Sequence, residues 1–316
     1  MNPVAPEMTE RPTDFVAPNL SPVGLELRPV ELGEGVHALM ANEAPKDNNG
    51  LIIGEKAALV VDAGITPRVG QHIQDIAADL TDIPIRYLVN TTYHGDHTFG
   101  NTAFGADVRV ISSRMNKAAM SDLAAEKNIR SESMYGAEKS LDDVVSWRLP
   151  DVTFDRYCEI DLGGRIVQLW HFGSANGPGD TLVHVPDAKV TWTGNFISPG
   201  MPPMMLIGDP VAYLRTVRAM RATLATDTLV PGHAFIGEAE PSISVLLGYL
   251  ENLTAAVHRG REAGRPVEAL YEELPMWGIT TPAGAPEQII AVLRSLHRLN
   301  ILTTYRWMDG QRLRAA

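Results

Sequence analysis

Two histidines and an aspartate stand close together in residues 92–97, which read Thr-Tyr-His-Gly-Asp-His. This segment follows an apolar stretch, Ile85–Val89, whose composition predicts a β-strand. Imidazole and carboxylate groups are the ligands that zinc, iron and manganese take in proteins. We therefore interpret residues 92–97 as a loop at the end of a strand. This loop either binds a metal ion or performs acid–base chemistry.

The composition limits the classes of partner. The 316 residues carry a formal net charge of −11 with a pI near 5.3, and an acidic surface repels nucleic-acid phosphates. No apolar run approaches the ~18 residues that a membrane span needs. The single cysteine, Cys158, excludes an internal disulfide and favours a reducing compartment. We therefore expect a cytoplasmic protein that acts on a small molecule, without a nucleic-acid or membrane partner.

Three regions follow one another along the chain. Residues 1–24 hold five prolines and lack the apolar run of a signal peptide, which predicts a flexible arm. In residues 25–236, short strand-like stretches alternate with helical patterns, including one continuous helical pattern over 114–141, so the fold class is α/β or α+β. Residues 237–316 have only helical periodicity, and we expect a structural extension that covers the site or joins subunits in a homo-oligomer.

The order of these motifs resembles the metallo-β-lactamase superfamily. That family carries His-x-His-x-Asp-His after an apolar strand, and this chain has Thr92 in place of the first histidine. His233, in the sequence Val-Pro-Gly-His, matches the last histidine of the family. The resemblance covers residues 25–236 and implies a four-layer αββα sandwich, which the periodicity alone does not specify.

Two other motifs of the family are altered as well. Gly-x-Ala-His-Thr-x-Gly-Asp becomes Gly-Ser-Ala-Asn-Gly-Pro-Gly-Asp over residues 173–180, so Asn176 stands where the family has a ligand histidine. Thr-Gly-Asp becomes Thr-Gly-Asn, so Asn195 replaces the bridging aspartate. Three of the seven ligand positions therefore carry neutral side chains with oxygen atoms.

The losses fall mainly on one of the two metal sites that the resemblance implies. The first site keeps only His94, whereas the second keeps Asp96, His97 and His233. Two imidazoles and a carboxylate suit one divalent ion, with zinc as the first expectation and iron or manganese as alternatives. A site without any metal, in which the same residues form a buried hydrogen-bond network, stays an alternative.

The remaining candidates are assigned roles by their positions. With its metal site lost, His94 becomes free to act as a general base, and Tyr93 could donate a proton or a hydrogen bond to an oxyanion. Asp62 either orients a ligand histidine or closes a turn. The other residues are expected to contact the substrate or to support the ligands: Thr92, Asn176, Asn195, Asp180 and His171.

The leading hypothesis is a hydrolase with an altered site that acts on an ester, thioester, lactone or amide of a small apolar substrate. Residues 198–207, rich in methionine and proline, could line an apolar pocket or pack on the helical extension. A metal-free enzyme that performs cyclisation, dehydration or isomerisation is the second hypothesis. A protein that binds a ligand without turnover is the third.

Overall fold

Short stretches rich in apolar residues form two β-sheets. The computed structural model describes residues 10–281 and 284–315. In the first sheet, strands β1 to β4 pair antiparallel in sequence order, and β4 to β7 pair parallel. Its strands are β1 (Leu27–Gly33), β2 (Val36–Ala41), β3 (Asn49–Ile53), β4 (Ala58–Val61), β5 (Ile85–Val89), β6 (Arg109–Ser113) and β7 (Val152–Phe154).

The second sheet has six strands in the order β13-β12-β11-β10-β9-β8. Only β11 and β12 pair parallel, and the other neighbours pair antiparallel. Its strands are β8 (Tyr157–Asp161), β9 (Ile166–Trp170), β10 (Leu182–Val185), β11 (Val190–Gly194), β12 (Thr228–Pro231) and β13 (Gly237–Glu238).

The helices begin at recognisable capping residues. Thr66 accepts from Val69 N and Asp209 accepts from Ala212 N, and a proline follows each cap at the first helical position. Within the described residues, none of the helices combines the length and apolar character that crossing a bilayer requires. The helices are α1 (Pro67–Leu80), α2 (Gly95–Thr98), α3 (Arg114–Ala119), α4 (Leu123–Ser131), α5 (Pro210–Thr223), α6 (Ala239–Glu262), α7 (Val267–Glu273) and α8 (Glu287–Ala315).

Three apolar cores separate four layers. The central core lies between the sheets and joins Ile52 and Leu59 of the first sheet to Trp192 of the second. A second core packs α1, through Ile73, against the outer face of the first sheet. A third packs α5, α6 and α8 against the outer face of the second sheet. The αββα sandwich that the resemblance implies is therefore confirmed.

The continuous helical pattern over 114–141 is wrong in detail. The segment divides into α3, α4 and a 3₁₀ turn at Glu138–Leu141. Asp122 accepts a hydrogen bond from Ala125 N and so begins α4 anew, because a short acidic side chain caps a helix better than it continues one. This division brings α4 beside the motif of residues 92–97.

The predicted division at residues 24 and 236 stays a prediction, and residues 1–9 of the arm lie outside the described residues. Residues 10–24 form neither helix nor strand, but Leu20 is buried and its N–H donates to Ser133 O at 2.9 Å. Val16 N donates to Ser295 Oγ of α8 at 2.9 Å. The described part of this segment therefore packs on the sandwich and on α8.

Gly100 holds the motif against the end of β4. A Cβ atom at this position would lie 1.9 Å from the carbonyl oxygen of Ala63, which belongs to the backbone and cannot rotate away. We expect Gly100→Ala to lower the free energy of unfolding by about 3 kcal/mol or more, because the chain must shift to relieve the overlap.

Urea denaturation measures this change. Gly248→Ala on α6 is the control, because a Cβ there meets no atom within 4 Å and alanine favours a helix by up to ~1 kcal/mol. Equal stability of the two variants would contradict the close approach at Gly100.

Candidate active site

The candidate site lies where four strands end. Asp62 follows β4, residues 92–97 follow β5, Asn195 follows β11 and His233 follows β12. The parallel pairs β4–β5 and β11–β12 place their carboxyl ends at the same edge of each sheet. Because the sheets stack face to face, both edges meet at one place. The strand order thus gathers residues that are far apart in the sequence.

Asp96, His97 and His233 lie together at this place. Asp96 Oδ2 lies 3.5 Å from His97 Nε2 and 3.3 Å from His233 Nε2. Asp47 joins them, and the potential ligand atoms of the four residues all lie within 4.8 Å of one another. His97 and the two aspartates are buried, and His233 is partly exposed. The four residues, which we call the Asp–His cluster, could hold one metal ion.

Sequence reasoning missed Asp47. It lies in the sequence Lys-Asp-Asn-Asn-Gly, which reads as a turn between strands. In the structure it forms an isolated β-bridge with His233, and its side chain is 2% exposed. Its Oδ1 atom accepts no hydrogen bond. The one sequence signal at this position was an acidic residue before an Asn-Asn-Gly turn. The spacing of the sequence did not link Asp47 to His233.

Hydrogen bonds fix the orientation of both histidines. His97 Nδ1 lies 2.9 Å from Asp62 Oδ2, and His233 Nδ1 lies 2.8 Å from the carbonyl oxygen of Pro45. When Nδ1 carries the proton, Nε2 offers its lone pair, and in both residues Nε2 is the atom that faces Asp96. Both rings are therefore held as metal ligands require.

Asp62 both orients His97 and closes a turn. Its carboxylate also accepts from Thr91 N at 2.8 Å and from Thr91 Oγ1 at 2.6 Å. Its φ of 60° lies in the left-handed region, which is costly for a non-glycine residue. The two roles that the sequence left open are thus combined in one side chain.

Positive charge compensates the buried carboxylates. Arg130 of α4 donates to Asp96 Oδ1 at 3.2 Å and pairs with Glu126 at 3.0 Å. Burial by itself would raise the pKa of Asp96, but the charges of His97 and Arg130 hold that pKa well below its usual value. Sequence reasoning missed Arg130, because a Glu and an Arg four residues apart on a helix usually form a solvated pair.

Two further members of the Asp–His cluster, Asp47 and His97, also have shifted pKa values. Burial, with the negative charge of Asp96, raises the pKa of Asp47 well above its usual value. Burial lowers the pKa of His97, but the charges of Asp62 and Asp96 prevail and raise it to about 10. The pKa of Asp47 is thus raised mainly by burial, and the pKa of His97 is raised by the carboxylates around it.

Asn195 joins two histidines at the position where the family has its bridging aspartate. Its Oδ1 lies 3.2 Å from His97 Nε2, and its Nδ2 lies 3.0 Å from His94 Nδ1. The amide oxygen accepts as a carboxylate oxygen does, but the amide nitrogen is a donor and the group supplies no charge. The structure thus places a neutral link between the Asp–His cluster and His94.

Thr92 and Asn176 lie outside the Asp–His cluster. Both are fully buried, and neither Thr92 Oγ1 nor Asn176 Oδ1 has a hydrogen-bond partner. Asn176 Nδ2 instead donates to the carbonyl oxygen of Met204. The asparagine at the position of the ligand histidine therefore anchors the methionine-rich loop.

Tyr93, Asp180 and His171 surround the site without joining the Asp–His cluster. The ring of Tyr93 packs edge-on against His94, with 4.4 Å between ring centroids. Asp180 Oδ2 accepts from Gly177 N at 3.0 Å, and burial raises the pKa of Asp180 to about 7. His171 Nδ1 lies 2.9 Å from Asp180 O, so both residues support the loop that carries Asn176.

A cavity of about 70 Å³ adjoins the Asp–His cluster. One part of its lining is polar and reactive, and the other part is apolar. The polar part contains His94, Asp96, Asn195 and His233. The methionine-rich loop contributes Met201 and Met204, so this loop lines the cavity as well as packing on the helices.

The profile described as the Metallo-beta-lactamase superfamily matches residues 47–233, which is more than half of the chain. The chain belongs to the metallo-β-lactamase superfamily. The match runs from Asp47 to His233 and so includes all four residues of the Asp–His cluster. The family resemblance seen in the sequence is confirmed.

Several solved structures of this fold are similar to the chain. The metallo-beta-lactamase from Pontibacter korlensis is 17% identical with a TM-score of 0.54, over 72% of this chain and 100% of that one. The stereoselective inverting sec-alkylsulfatase Pisa1 from Pseudomonas sp. is 15% identical with a TM-score of 0.66, over 89% of this chain and 50% of that one. This chain thus spans about half the length of the alkylsulfatase, and at these identities the likeness shows the fold alone.

The donor set fits a single divalent ion. Ligand atoms ~2.1 Å from a tetrahedral zinc are about 3.4 Å apart. Asp96 Oδ2 lies 3.5 Å from His97 Nε2 and 3.3 Å from His233 Nε2. Asp47 adds a second carboxylate whose Oδ1 has no other hydrogen-bond partner.

The raised pKa of Asp180 predicts a loss of stability with rising pH. Its folded-state pKa of about 7 lies above the ordinary value of 3.8 for an aspartate, so as the pH rises the unfolded chain releases this proton first. The free energy of unfolding should therefore fall between about pH 4 and pH 7, by about 1.4 kcal/mol per pKa unit of the shift. Asp180→Asn, which stays neutral, should lose this part of the pH dependence.

Thermal and urea unfolding between pH 4 and pH 8 measure the slope. Asp79→Asn, at an exposed position on α1, is the control and should keep the slope of the unaltered protein. A slope that is the same in Asp180→Asn and in the unaltered protein would contradict a protonated Asp180 in the folded state.

Proposed function

We propose that this protein is a hydrolase that uses one divalent metal ion held by Asp47, Asp96, His97 and His233. The observation that carries the proposal is the Asp–His cluster, in which both imidazoles direct Nε2 toward Asp96 and Asp47 Oδ1 has no hydrogen-bond partner. That oxygen lies 3.4 Å from His233 Nδ1, which lies closer to the carbonyl oxygen of Pro45, so a bound cation would stabilise this buried carboxylate. Membership of the metallo-β-lactamase superfamily supports the same chemistry.

Zinc is the ion that this donor set favours first. Zinc binds four ligands from imidazole and carboxylate groups, and two carboxylates also make manganese or iron acceptable. When bound, a divalent ion supplies Lewis acidity to a reacting carbonyl group. We assign the substrate to the esters, thioesters, lactones or amides of a small apolar acid, because most of the cavity lining is apolar.

His94 is the proton acceptor in this proposal. It lines the cavity next to Asp96 and His233, yet it is separate from the Asp–His cluster. The amide of Asn195 lies 3.0 Å from its Nδ1 and so restrains the ring. An imidazole beside the cavity can act as a general base toward an attacking water. We therefore assign the acid–base role in this site to His94.

A metal-free acid–base enzyme is the second candidate. Arg130 favours it, because this buried side chain already supplies a positive charge to Asp96 at 3.2 Å. The neutral side chains of Thr92, Asn176 and Asn195 could then orient a substrate that is cyclised, dehydrated or isomerised. Activity that survives dialysis against a strong chelator would favour this candidate over the hydrolase.

The biological setting remains a proposal as well. We propose a cytoplasmic protein that acts on a small molecule and has no nucleic-acid or membrane partner. A homo-oligomer formed through the C-terminal helices stays a prediction from the sequence.

Metal content tests the role of the Asp–His cluster. We expect the purified protein to bind one equivalent of zinc, manganese or iron. Asp47→Asn should bind that ion at least about tenfold more weakly, because an amide is a poor ligand. Titration of the metal-free protein, followed by elemental mass spectrometry, measures the affinity.

His72→Ala is the matched control, because this histidine lies on α1 in an exposed position. It should bind the ion as the unaltered protein does. Failure of the unaltered protein to bind any of the three ions would overturn the metal-dependent proposal.

His94→Ala tests the assignment of the proton acceptor. We expect it to retain the ion and to lower kcat by roughly 10²- to 10⁴-fold, the usual contribution of a general base. Hydrolysis of 4-nitrophenyl esters measures kcat, and elemental analysis confirms the metal content. Unchanged kcat, or loss of the ion together with activity, would contradict the assignment.

A further inference from the structure

We propose that residues 10–20 form the wall of the candidate site that selects the substrate, and that this wall limits the substrate to a short acyl group. The inference rests on the proposed hydrolytic function for its choice of substrate. Its structural basis is separate, because it concerns the apolar part of the cavity rather than the Asp–His cluster. We call residues 10–20 the N-terminal strap.

The N-terminal strap is attached on both sides of the cavity. On one side Leu20 N donates to Ser133 O at 2.9 Å, just after α4. On the other side the strap contacts two residues of α8. Val16 N donates to Ser295 Oγ at 2.9 Å, and Glu10 pairs with Arg306. The strap therefore spans the gap between α4 and α8.

The strap contributes the apolar lining that faces the reactive residues. Phe15, Pro18 and Leu20 line the cavity, and Leu296 of α8 adds to them. The guanidinium of Arg11 lies 5.6 Å from the centre of the Phe15 ring and so restrains it. These residues lie outside the 47–233 match, so the family core supplies the reactive groups and other parts of the chain supply this wall.

The opposite wall is held in place as well. The methionine-rich loop is anchored at Met204 O by Asn176 and at Met205 N by Asn300 Oδ1, at 3.0 Å. Asn300 Nδ2 also donates to Pro203 O at 2.6 Å. Because hydrogen bonds fix both walls, the cavity has a defined size.

That size decides the class of substrate. The cavity volume is about 70 Å³, less than half of the ~150 Å³ cavity that accommodates benzene in another protein. It therefore accommodates an apolar group of about three heavy atoms. An acyl group of two to four carbons fits, whereas one of eight carbons fits only when the Phe15 ring is removed.

Phe15→Ala tests the wall with a series of 4-nitrophenyl esters. The metal-loaded protein should prefer acyl groups of two to four carbons. In Phe15→Ala the ratio of kcat/KM for the eight-carbon ester to that for the two-carbon ester should rise at least about tenfold, because each methylene that gains a pocket adds a factor of ten or more. Phe15→Leu should raise the same ratio by an intermediate amount. It replaces Phe15→Ala in the test if the alanine variant unfolds.

Val23→Ala is the matched control, because Val23 follows the strap and is 65% exposed. Its ratio should equal that of the unaltered protein. A change of less than twofold in both Phe15 variants would overturn the inference even if every ester is hydrolysed.

Binding of unreactive acids separates this inference from the proposed function. Calorimetry with butanoate and octanoate needs no turnover. We expect the ratio of octanoate affinity to butanoate affinity to be about tenfold higher in Phe15→Ala than in the unaltered protein. That result would support the wall even if no ester is cleaved. In that case only the hydrolytic proposal would fail. Equal relative binding to both proteins, or no binding of either acid to either protein, would overturn the wall.

Discussion

The burial of three carboxylates around one point is the constraint on which the rest of the site depends. Asp47, Asp62 and Asp96 are each about 2% exposed or less. Like charges in a poorly hydrated environment repel strongly, so such a group persists only when positive charge is placed among the carboxylates. His97 lies between Asp62 and Asp96, and Arg130 compensates Asp96 from the other side.

This charge balance explains why the strand ends and α4 are arranged as they are. Asp62 has a left-handed backbone, and its side chain joins two segments of the site. Its Oδ1 accepts from Thr91 N, and its Oδ2 contacts both Thr91 Oγ1 and His97 Nδ1. Glu126 of α4 accepts from Gly95 N at 2.8 Å, which fixes the start of α2 beside Asp96. Two neutral residues of the site have structural roles. Asn195 contacts both His94 and His97, and Asn176 anchors the methionine-rich loop.

The sequence predicts those parts of the site that depend on local spacing. Residues 92–97, Asn195 and His233 each follow a short apolar strand, so the pattern identified their positions, whereas the αββα fold came from the family resemblance. Asp47 and Arg130 were not predicted, because their roles arise from contacts between segments that no spacing connects. The packing of the N-terminal strap was missed for the same reason, since its proline content indicates an extended chain but not what that chain lies against.

The position of Asp47 and His233 at the two limits of the family region has a mechanical consequence. Asp47 lies two residues before the first sheet's β3, and His233 lies two residues after the second sheet's β12. An ion shared by these residues would tie the two sheets across 185 intervening residues, the largest chain loop that the Asp–His cluster can close. Closing a long loop in the unfolded chain costs more entropy than closing a short one. A bound ion would therefore link the two sheets of the sandwich. Binding of the ion would be coupled to the packing of one sheet against the other during folding.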